Sequence, residues 1–355
     1  MSLEDLRSKI DEIDTRIVRL IGERTRIAEE IGGEKKKQGK QINDLAREQK
    51  VLANIKRLAE SEQINQEVIE AIYQQIVNLC RMTQGTDVAF QGEAGAYSQE
   101  AALQFFGRAI ITKPYETLEK VFSAVEQGDA PFGIVPVENS LEGSISQSYD
   151  LLRDSILKVC GETELRVAHC LIANPRASLD SIKRVYSHPQ ALGQCKNFIK
   201  HLGCEIIPTY DTAGAVKMIK EQGIIDGSAI ASARAAEIYQ MKIIASEIED
   251  YPHNFTRFFI LAKEDSPPSG NDKTSIVFAV KHKPKALYDF IKNFAASDVN
   301  LTKIESRPTR RKAWDYNFYL DFDGHREDAA PREVLAKLEQ SSIFLKILGS
   351  YPKAK

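Results

Sequence analysis

A chain of 355 residues, 43% hydrophobic and 28% charged, is long enough for two or three domains that each bury a core. Its formal charge of -2 supplies no global attraction to nucleic acid or anionic membrane. Five cysteines without a CxxC pair, and six histidines without HExxH or HxH spacing, argue for reduced thiols in a cytoplasm and against a disulfide framework or a metal site.

In chain order, the opening MSLEDLRSKIDEID lacks the apolar core of a signal peptide, and no later run approaches the ~20 apolar residues of a membrane span. Residues 3–84 carry helical periodicity. Leu6, Ile10, Ile13, Ile17, Leu20, Arg24, Ile27 and Ile31 are spaced 4-3-4-3-4-3-4, a heptad seam. A second helix is expected from Asn43 or Asp44 and a third over 66–84. Three helices of such unequal length enclose little core alone, so a helical homodimer, or a higher homo-oligomer, is expected. From 86 to about 263 the runs DVAF, FGIVPV, HCLIA, RVYS, EIIPTY and FFILA alternate with helix-like segments, an α/β pattern. The stretch 264–273, EDSPPSGNDK, has the composition of a linker. Beyond it strands and helices follow in the order βαββαβ, the α+β ferredoxin-like unit. The expected domains are therefore 1–85, 86–263 and 274–355.

Within the first segment Arg24 stands in the apolar seam, where a guanidinium is costly unless it meets an anion. Lys35 lies eleven residues on, about three turns, and so on the same face. Glu48 interrupts the second helix's apolar series, with Arg47 and Asp44 beside it, and Cys80 and Gln84 extend the inner face of the third. Two readings stand on periodicity alone: an interhelical salt bridge, or a pocket for a small polyanion. The segment resembles the all-helical chorismate mutases, with Arg7, Arg24, Lys35, Asp44, Arg47, Glu48 and Gln84 at that family's active-site intervals. Cys80 departs from it, standing where Ser is usual and donating a weaker hydrogen bond. The resemblance implies a Claisen rearrangement of chorismate to prephenate, which needs no cofactor and no general base. Arg24 and Arg47 would hold the carboxylates, Lys35 and Gln84 the ether oxygen, and Glu48 the region of the substrate hydroxyl. Arg7 is about 25 Å from Arg24 along one helix and is assigned to a partner chain's site.

The middle segment places polar residues after strands. Gly92, Gly95, Tyr97 and Ser98 open a helix without a nucleotide-binding pattern. Glu138, Asn139 and Ser140 follow FGIVPV. Ser187, His188, Gln190 and Gln194 follow RVYS, and Asp211-Thr212 ends another strand. Asn254 to Phe258 reads NFTRF. Singly these are capping signals, and a His before Pro is first a turn residue. Together VPVENS, YSHPQALGQC and NFTRF resemble the prephenate dehydratases, which implies two lobes like those of type II periplasmic binding proteins with the site in the cleft. Prephenate must lose carbon dioxide and its ring hydroxyl. The resemblance implies an essential Thr256, read here as a positioned donor to the leaving oxygen. Glu138 is a candidate proton source, and Asn139, Ser140, Ser187, Gln190 and Gln194 are candidates to orient substrate. Arg257 stands equally as a carboxylate partner or a structural residue.

At the C terminus LTKIESRP resembles the signature of ACT regulatory domains, implying phenylalanine as effector at Ala286, Leu287, Glu305, Ser306, Arg307 and Pro308. Lys285 departs from the family's Gly and crowds that approach. Ending the chain near Asp265 is then expected to leave a dehydratase indifferent to phenylalanine. A non-catalytic amino-acid sensor and a dehydratase preferring arogenate remain as alternatives. KKKQGK alone does not support nucleic-acid binding.

Overall fold

The computed structural model describes residues 2–37, 45–83, 86–108, 110–309 and 315–354, and among these the side chains of 35–37, 45–49, 78 and 81–83 are not described. Two compact units divide the chain near Asp87.

The first unit is helical. One unbroken helix of 35 residues, α1 (Leu3–Lys37), is followed by α2 (Leu45–Ser61) and α3 (Gln66–Thr83). Asn65 starts α3, its side-chain oxygen accepting from the amides of Glu67 and Val68 at 2.9 and 3.2 Å. α3 packs against both other helices. The heptad of α1 nevertheless stays open to solvent: Ile10, Ile17 and Leu20 are 57%, 48% and 62% exposed.

The second unit opens with β1 (Asp87–Gln91), α4 (Tyr97–Phe106), β2 (Ile111–Tyr115), α5 (Leu118–Gln127), β3 (Phe132–Asn139), β4 (Gly143–Ser144), α6 (Ser146–Asp154) and β5 (Lys158–Arg166). The chain then crosses into β6 (Cys170–Ala173), β7 (Arg184–Ser187), α7 (Pro189–Gln194), α8 (Lys196–Leu202), β8 (Glu205–Pro208), α9 (Thr212–Glu221), β9 (Gly227–Ala231), α10 (Ala233–Tyr239) and β10 (Lys242–Ala245). It returns in β11 (Phe255–Ala262). Two lobes result, one on the sheet β2-β1-β3-β11-β5 and one on β10-β6-β9-β7-β8. The two crossings are stitched together where Val167 N–H donates to the Asn254 carbonyl at 2.8 Å. The lobes also meet at Gly95, whose φ of +92° favours glycine and where a Cβ would lie 2.7 Å from the Ala235 Cα.

The chain ends with β12 (Asp272–Ala279), α11 (Ala286–Ala296), β13 (Leu301–Pro308), β14 (Tyr316–Asp323), α12 (Ala329–Ser341) and β15 (Phe344–Pro352). These strands form an antiparallel sheet in the order β13-β14-β12-β15. α11 and α12 cover one face over Phe278, Phe290, Phe294, Phe322 and Leu338. The other face puts Val277, Tyr319, Leu348 and Tyr351 into one core with Tyr149, Val159 and Phe259 of the first lobe. Each such side chain contributes about 1.5–3 kcal/mol of burial. Backbones touch there as well, since a Cβ on Gly349 would sit 2.0 Å from the Val159 carbonyl oxygen. The linker-like stretch is tied down: Ser266 donates to the Cys160 carbonyl at 2.6 Å, and Asp265 pairs with Arg326 at 2.6 Å. Its composition marks a loop, not a free tether. Cutting the chain near Asp265 would therefore uncover Tyr149 and Phe259, and point substitutions are the sounder probe of this sheet. Among the described residues no helix is long and apolar enough to cross a membrane.

Candidate active sites

In the helical unit Arg24, on α1, reaches α3, where its Nη1 donates to the Cys80 Sγ at 2.7 Å. Cys80 is buried, and the Thr25 hydroxyl stands 3.8 Å from the same sulfur. The seam cation and the departing cysteine thus share one spot on the α1–α3 interface. Arg7 is exposed on the same helix, 17 residues or about 25 Å from Arg24, too far away to join them. Asp44 and Gln84 lie outside the described residues, as do the side chains of Lys35, Arg47 and Glu48.

Between the lobes is a cavity of about 150 Å³. The first lobe contributes Asn139, Thr256 and Phe258, the second His169, Gln190, Gln194 and Thr212, and the α4 start adds Tyr97 and Ser98. Strand geometry sorts the neighbours. Thr256 pairs in register with Asn139 and Arg257 with Glu138. Adjacent strand residues face opposite ways, so Thr256 and Asn139 take the cavity and Glu138 and Arg257 the rear. A register shift follows directly after Arg257, the kind of bulge that re-aims side chains beside sites.

The polar floor is tightly specified. Asn139 Oδ1 accepts from the amides of Leu141 and Glu142, both at 3.1 Å. Its Nδ2 donates to Asn254 Oδ1 at 2.7 Å and to Thr256 Oγ1 at 3.0 Å. Gln194 Oε1 accepts from Asn254 at 2.9 Å and stands 2.9 Å from His169 Nε2. His169 Nδ1 is 2.9 Å from the Tyr97 hydroxyl. Burial holds the His169 imidazole below its usual range against the opposing pull of Gln194 and Glu249, and burial raises the Tyr97 phenol. Neutral imidazole and protonated phenol make this wall a set of hydrogen-bond donors and acceptors without formal charge. Helices α4 and α9 both start at the cavity, and Asp211 caps α9 by accepting from Thr212 and Gly214 at 2.8 and 3.0 Å. A carboxylate of the protein thus already holds the α9 start, and the α4 start is the one that favours a carboxylate in the cavity.

Several expected site residues lie elsewhere. Glu138 pairs with Lys303 at 2.8 Å on the rear face, away from any substrate in the cavity. Arg257 is bound by Glu162 at 2.6 Å, Asp321 at 2.7 Å and the Tyr351 hydroxyl at 3.1 Å. Ser187 is fully buried, donating to the Ile230 carbonyl at 2.6 Å. Ser140 braces the second crossing, donating to the His253 carbonyl and accepting from the Phe255 amide. His188 caps α7, accepting from Gln190 N–H at 3.3 Å, as a turn histidine should, and its ring also borders the cavity. Sequence reading missed His169, Tyr97 and Asn254 as site residues. Asn254 opens NFTRF and Tyr97 belongs to the helix start after β1, whereas His169 offered only a lone histidine at the head of HCLIA.

Removing Arg257 tests its placement. Arg257→Ala should cost about 3–5 kcal/mol of stability, because buried Glu162 and Asp321 lose their shared cation. Denaturant unfolding of the full chain measures it. An unchanged midpoint with weakened binding of a ligand in the cavity would return Arg257 to the site.

At the C-terminal sheet, Lys285 precedes α11 with φ 69°, a left-handed conformation unfavourable for a side chain with Cβ. Ala286 and Leu287 begin that helix. On edge strand β13, Ser306 lies opposite Phe318 on the helix-covered side and Pro308 opposite Tyr316. Glu305 and Arg307 face the first lobe instead: Glu305 accepts from Ser144, and Arg307 donates to Ser146 at 2.5 Å.

Comparison with known proteins gives two family matches: chorismate mutase type II over residues 6–85 and prephenate dehydratase over residues 88–266. The bifunctional chorismate mutase/prephenate dehydratase of Aquifex aeolicus (strain VF5) is 39% identical over 359 residues, covering 99% of this chain and 98% of its own. Arogenate dehydratase/prephenate dehydratase 2, chloroplastic, of Arabidopsis thaliana is 42% identical over 276 residues, covering 75% of this chain and 72% of its own. A crystal structure of prephenate dehydratase in complex with L-Phe from Arthrobacter aurescens covers 75% of this chain and 89% of that one, with 29% identity and a TM-score of 0.69.

Proposed function

Because this chain belongs to the bifunctional chorismate mutase/prephenate dehydratase family, and so carries both activities of phenylalanine biosynthesis, we propose how its own residues divide the work. In the dehydratase, Thr256 donates a hydrogen bond to the departing ring hydroxyl. The observation that carries this is the 3.0 Å bond from Asn139 Nδ2 to Thr256 Oγ1. With its oxygen serving as acceptor there, the threonine keeps its own proton for the cavity. A substrate carboxylate fits the start of α4, beside Ser98, and Thr212 and Gln190 add polar walls. Loss of carbon dioxide supplies the electron pair that expels the hydroxyl, and the low-charge wall leaves the developing hydroxide dependent on the Thr256 donor. No carboxylate side chain lines the cavity among the described residues. That favours the ketone of prephenate over the ammonium of arogenate. The test is the ratio of kcat/KM for the two substrates, and a ratio favouring arogenate would overturn the preference.

In the mutase, Arg24 holds a chorismate carboxylate beside Cys80, with Lys35, Arg47, Glu48, Asp44 and Gln84 completing the site. Support comes from the Arg24–Cys80 contact and from the exposed heptad of α1. A second copy of the chain covers that stripe and brings its own Arg7 to the site. Full-length similarity to named enzymes, and the assembled cavity, weigh against a sensor without catalysis.

The four-stranded C-terminal sheet with its two helices is read as an ACT domain, residues 274–355, that takes phenylalanine near Ala286, Leu287, Ser306 and Pro308. The L-Phe complex of the Arthrobacter aurescens enzyme supports this reading. Glu305 and Arg307 then transmit, rather than bind, since they grip Ser144 and Ser146 beside the cavity strand. Lys285→Gly should relieve about 1–2 kcal/mol of backbone strain and open the approach. The half-inhibitory phenylalanine concentration for the dehydratase should fall several-fold. A full-length protein indifferent to phenylalanine, with no heat of binding, would remove the sensing role.

A further inference from the structure

We infer that Asn254 is a positioning residue of the dehydratase, one that holds Asn139 against Thr256 so that the threonine hydroxyl points into the cavity. Four groups form a closed ring of hydrogen bonds. The Glu142 amide donates to Asn139 Oδ1 at 3.1 Å, Asn139 Nδ2 to Asn254 Oδ1 at 2.7 Å, Asn254 Nδ2 to Gln194 Oε1 at 2.9 Å, and Gln194 Nε2 back to the Glu142 carboxylate at 3.1 Å. Amide oxygen and nitrogen are normally interchangeable to the eye, but the partners of Asn139 are unambiguous. The Glu142 backbone N–H can only donate to Asn139, and the Phe255 backbone carbonyl, 3.2 Å from Asn139 Nδ2, can only accept from it. Asn139 therefore has one allowed orientation, and those of Asn254 and Gln194 follow from it along the ring. Asn254 is the link that joins Asn139 on β3 to Gln194 on α7, and it is completely buried on the second crossing between the lobes.

The ring acts on Thr256 through Asn139. With Asn139 Nδ2 turned toward β11, the Thr256 oxygen accepts at 3.0 Å. The hydroxyl hydrogen is left to aim into the cavity, where the leaving oxygen needs it. Backbone also holds the Asn139 amide, its Oδ1 accepting from the Leu141 and Glu142 N–H groups and its Nδ2 lying 3.2 Å from the Phe255 carbonyl. What Asn254 adds is the 2.7 Å bond that keeps Nδ2 in place over Thr256. This inference rests on the reading of Thr256 as the donor.

The experiment compares Asn254→Asp, Asn254→Ala and Thr256→Ala in the full chain, with dehydratase kcat and KM measured from about pH 8 to about pH 5.5 as ratios to the unaltered protein. When ionised, the carboxylate introduced by Asn254→Asp would accept from Asn139 but present oxygen to Gln194 Oε1, frustrating the ring. When protonated, it would donate to Gln194 and restore the ring. The titratable groups that the ring reaches are Glu142, His169 through Gln194, Tyr97 through His169, and Glu249 through the His169 amide; Asn254→Ala, which adds no charge beside them, is the control for their contribution to the profile. Asn254→Asp should lose on the order of tenfold to a hundredfold in kcat where ionised, with KM little changed, and recover as pH falls. Asn254→Ala should show a deficit of similar size at every pH, and the mutase rate should stay normal in both. Wild-type kcat in folded Asn254→Ala would overturn the inference. So would an Asn254→Asp protein no better than Asn254→Ala at any pH. If instead Thr256→Ala keeps full dehydratase activity, the donor reading itself falls.

Discussion

Thr256→Ala is expected to lower the dehydratase kcat at least about a hundredfold, the scale of losing one donor to a developing oxyanion. The chorismate mutase rate of the same protein should be unchanged, because Thr256 lies in the second compact unit and Arg24 in the first. KM should move little, since the hydroxyl contributes mainly where charge develops on the leaving oxygen. Thr256→Ser, which keeps a hydroxyl but loses the β-branch that restricts its rotamer, should retain an intermediate rate. A folded Thr256→Ala protein with near-normal kcat would mean that the leaving group is assisted by another group on the cavity wall.

Arg24→Ala should give the mirror image, a mutase slowed by about a hundredfold or more with the dehydratase intact. Its guanidinium meets α3 at Cys80, so truncation removes the proposed carboxylate anchor and the donor to that sulfur. Arg7→Ala should also slow the mutase although Arg7 is exposed and lies 17 residues, about 25 Å, along the same helix. The proposed second copy explains this, and it can be checked by mixing. Chains carrying Arg7→Ala and chains carrying Arg24→Ala should recover mutase activity together, because one site of a mixed dimer then keeps both cations. Absence of recovery after demonstrated subunit exchange would count against a shared site.

Much of this was legible in the sequence because periodicity reports burial. The hydrophobic strand FGIVPV and the βαββαβ order are patterns of which side meets water, and the elements follow them, whereas the heptad of α1 marks the helix but leaves Ile10, Ile17 and Leu20 exposed on the single chain. β5 was illegible for the same reason. Its sequence KVCGETELR looks solvated, yet Glu162 is only 4% exposed because Arg257 and Lys273 neutralise it in the interior. A strand whose polar residues are buried as ion pairs carries no alternation to read. The candidate residues behaved likewise. NFTRF and VPVENS pointed to the correct strands, but a motif does not say which of two neighbours faces the cleft. Pairing did: Asn139 and Thr256 fell on one side, Glu138 and Arg257 on the other. His169 could not be found in sequence, since its importance comes from Tyr97 and Gln194, which the fold brings to its two nitrogens from 72 and 25 residues away.

The most direct measurement follows carbon from chorismate through the purified full-length chain, with products separated at intervals. The unaltered protein should convert chorismate to phenylpyruvate. Thr256→Ala should stop at prephenate, and Arg24→Ala should leave chorismate largely untouched while still converting added prephenate. If instead both variants lost both conversions while folded, or if Thr256→Ala still released phenylpyruvate at the full rate, two independent sites with Arg24 and Thr256 at their centres would be contradicted.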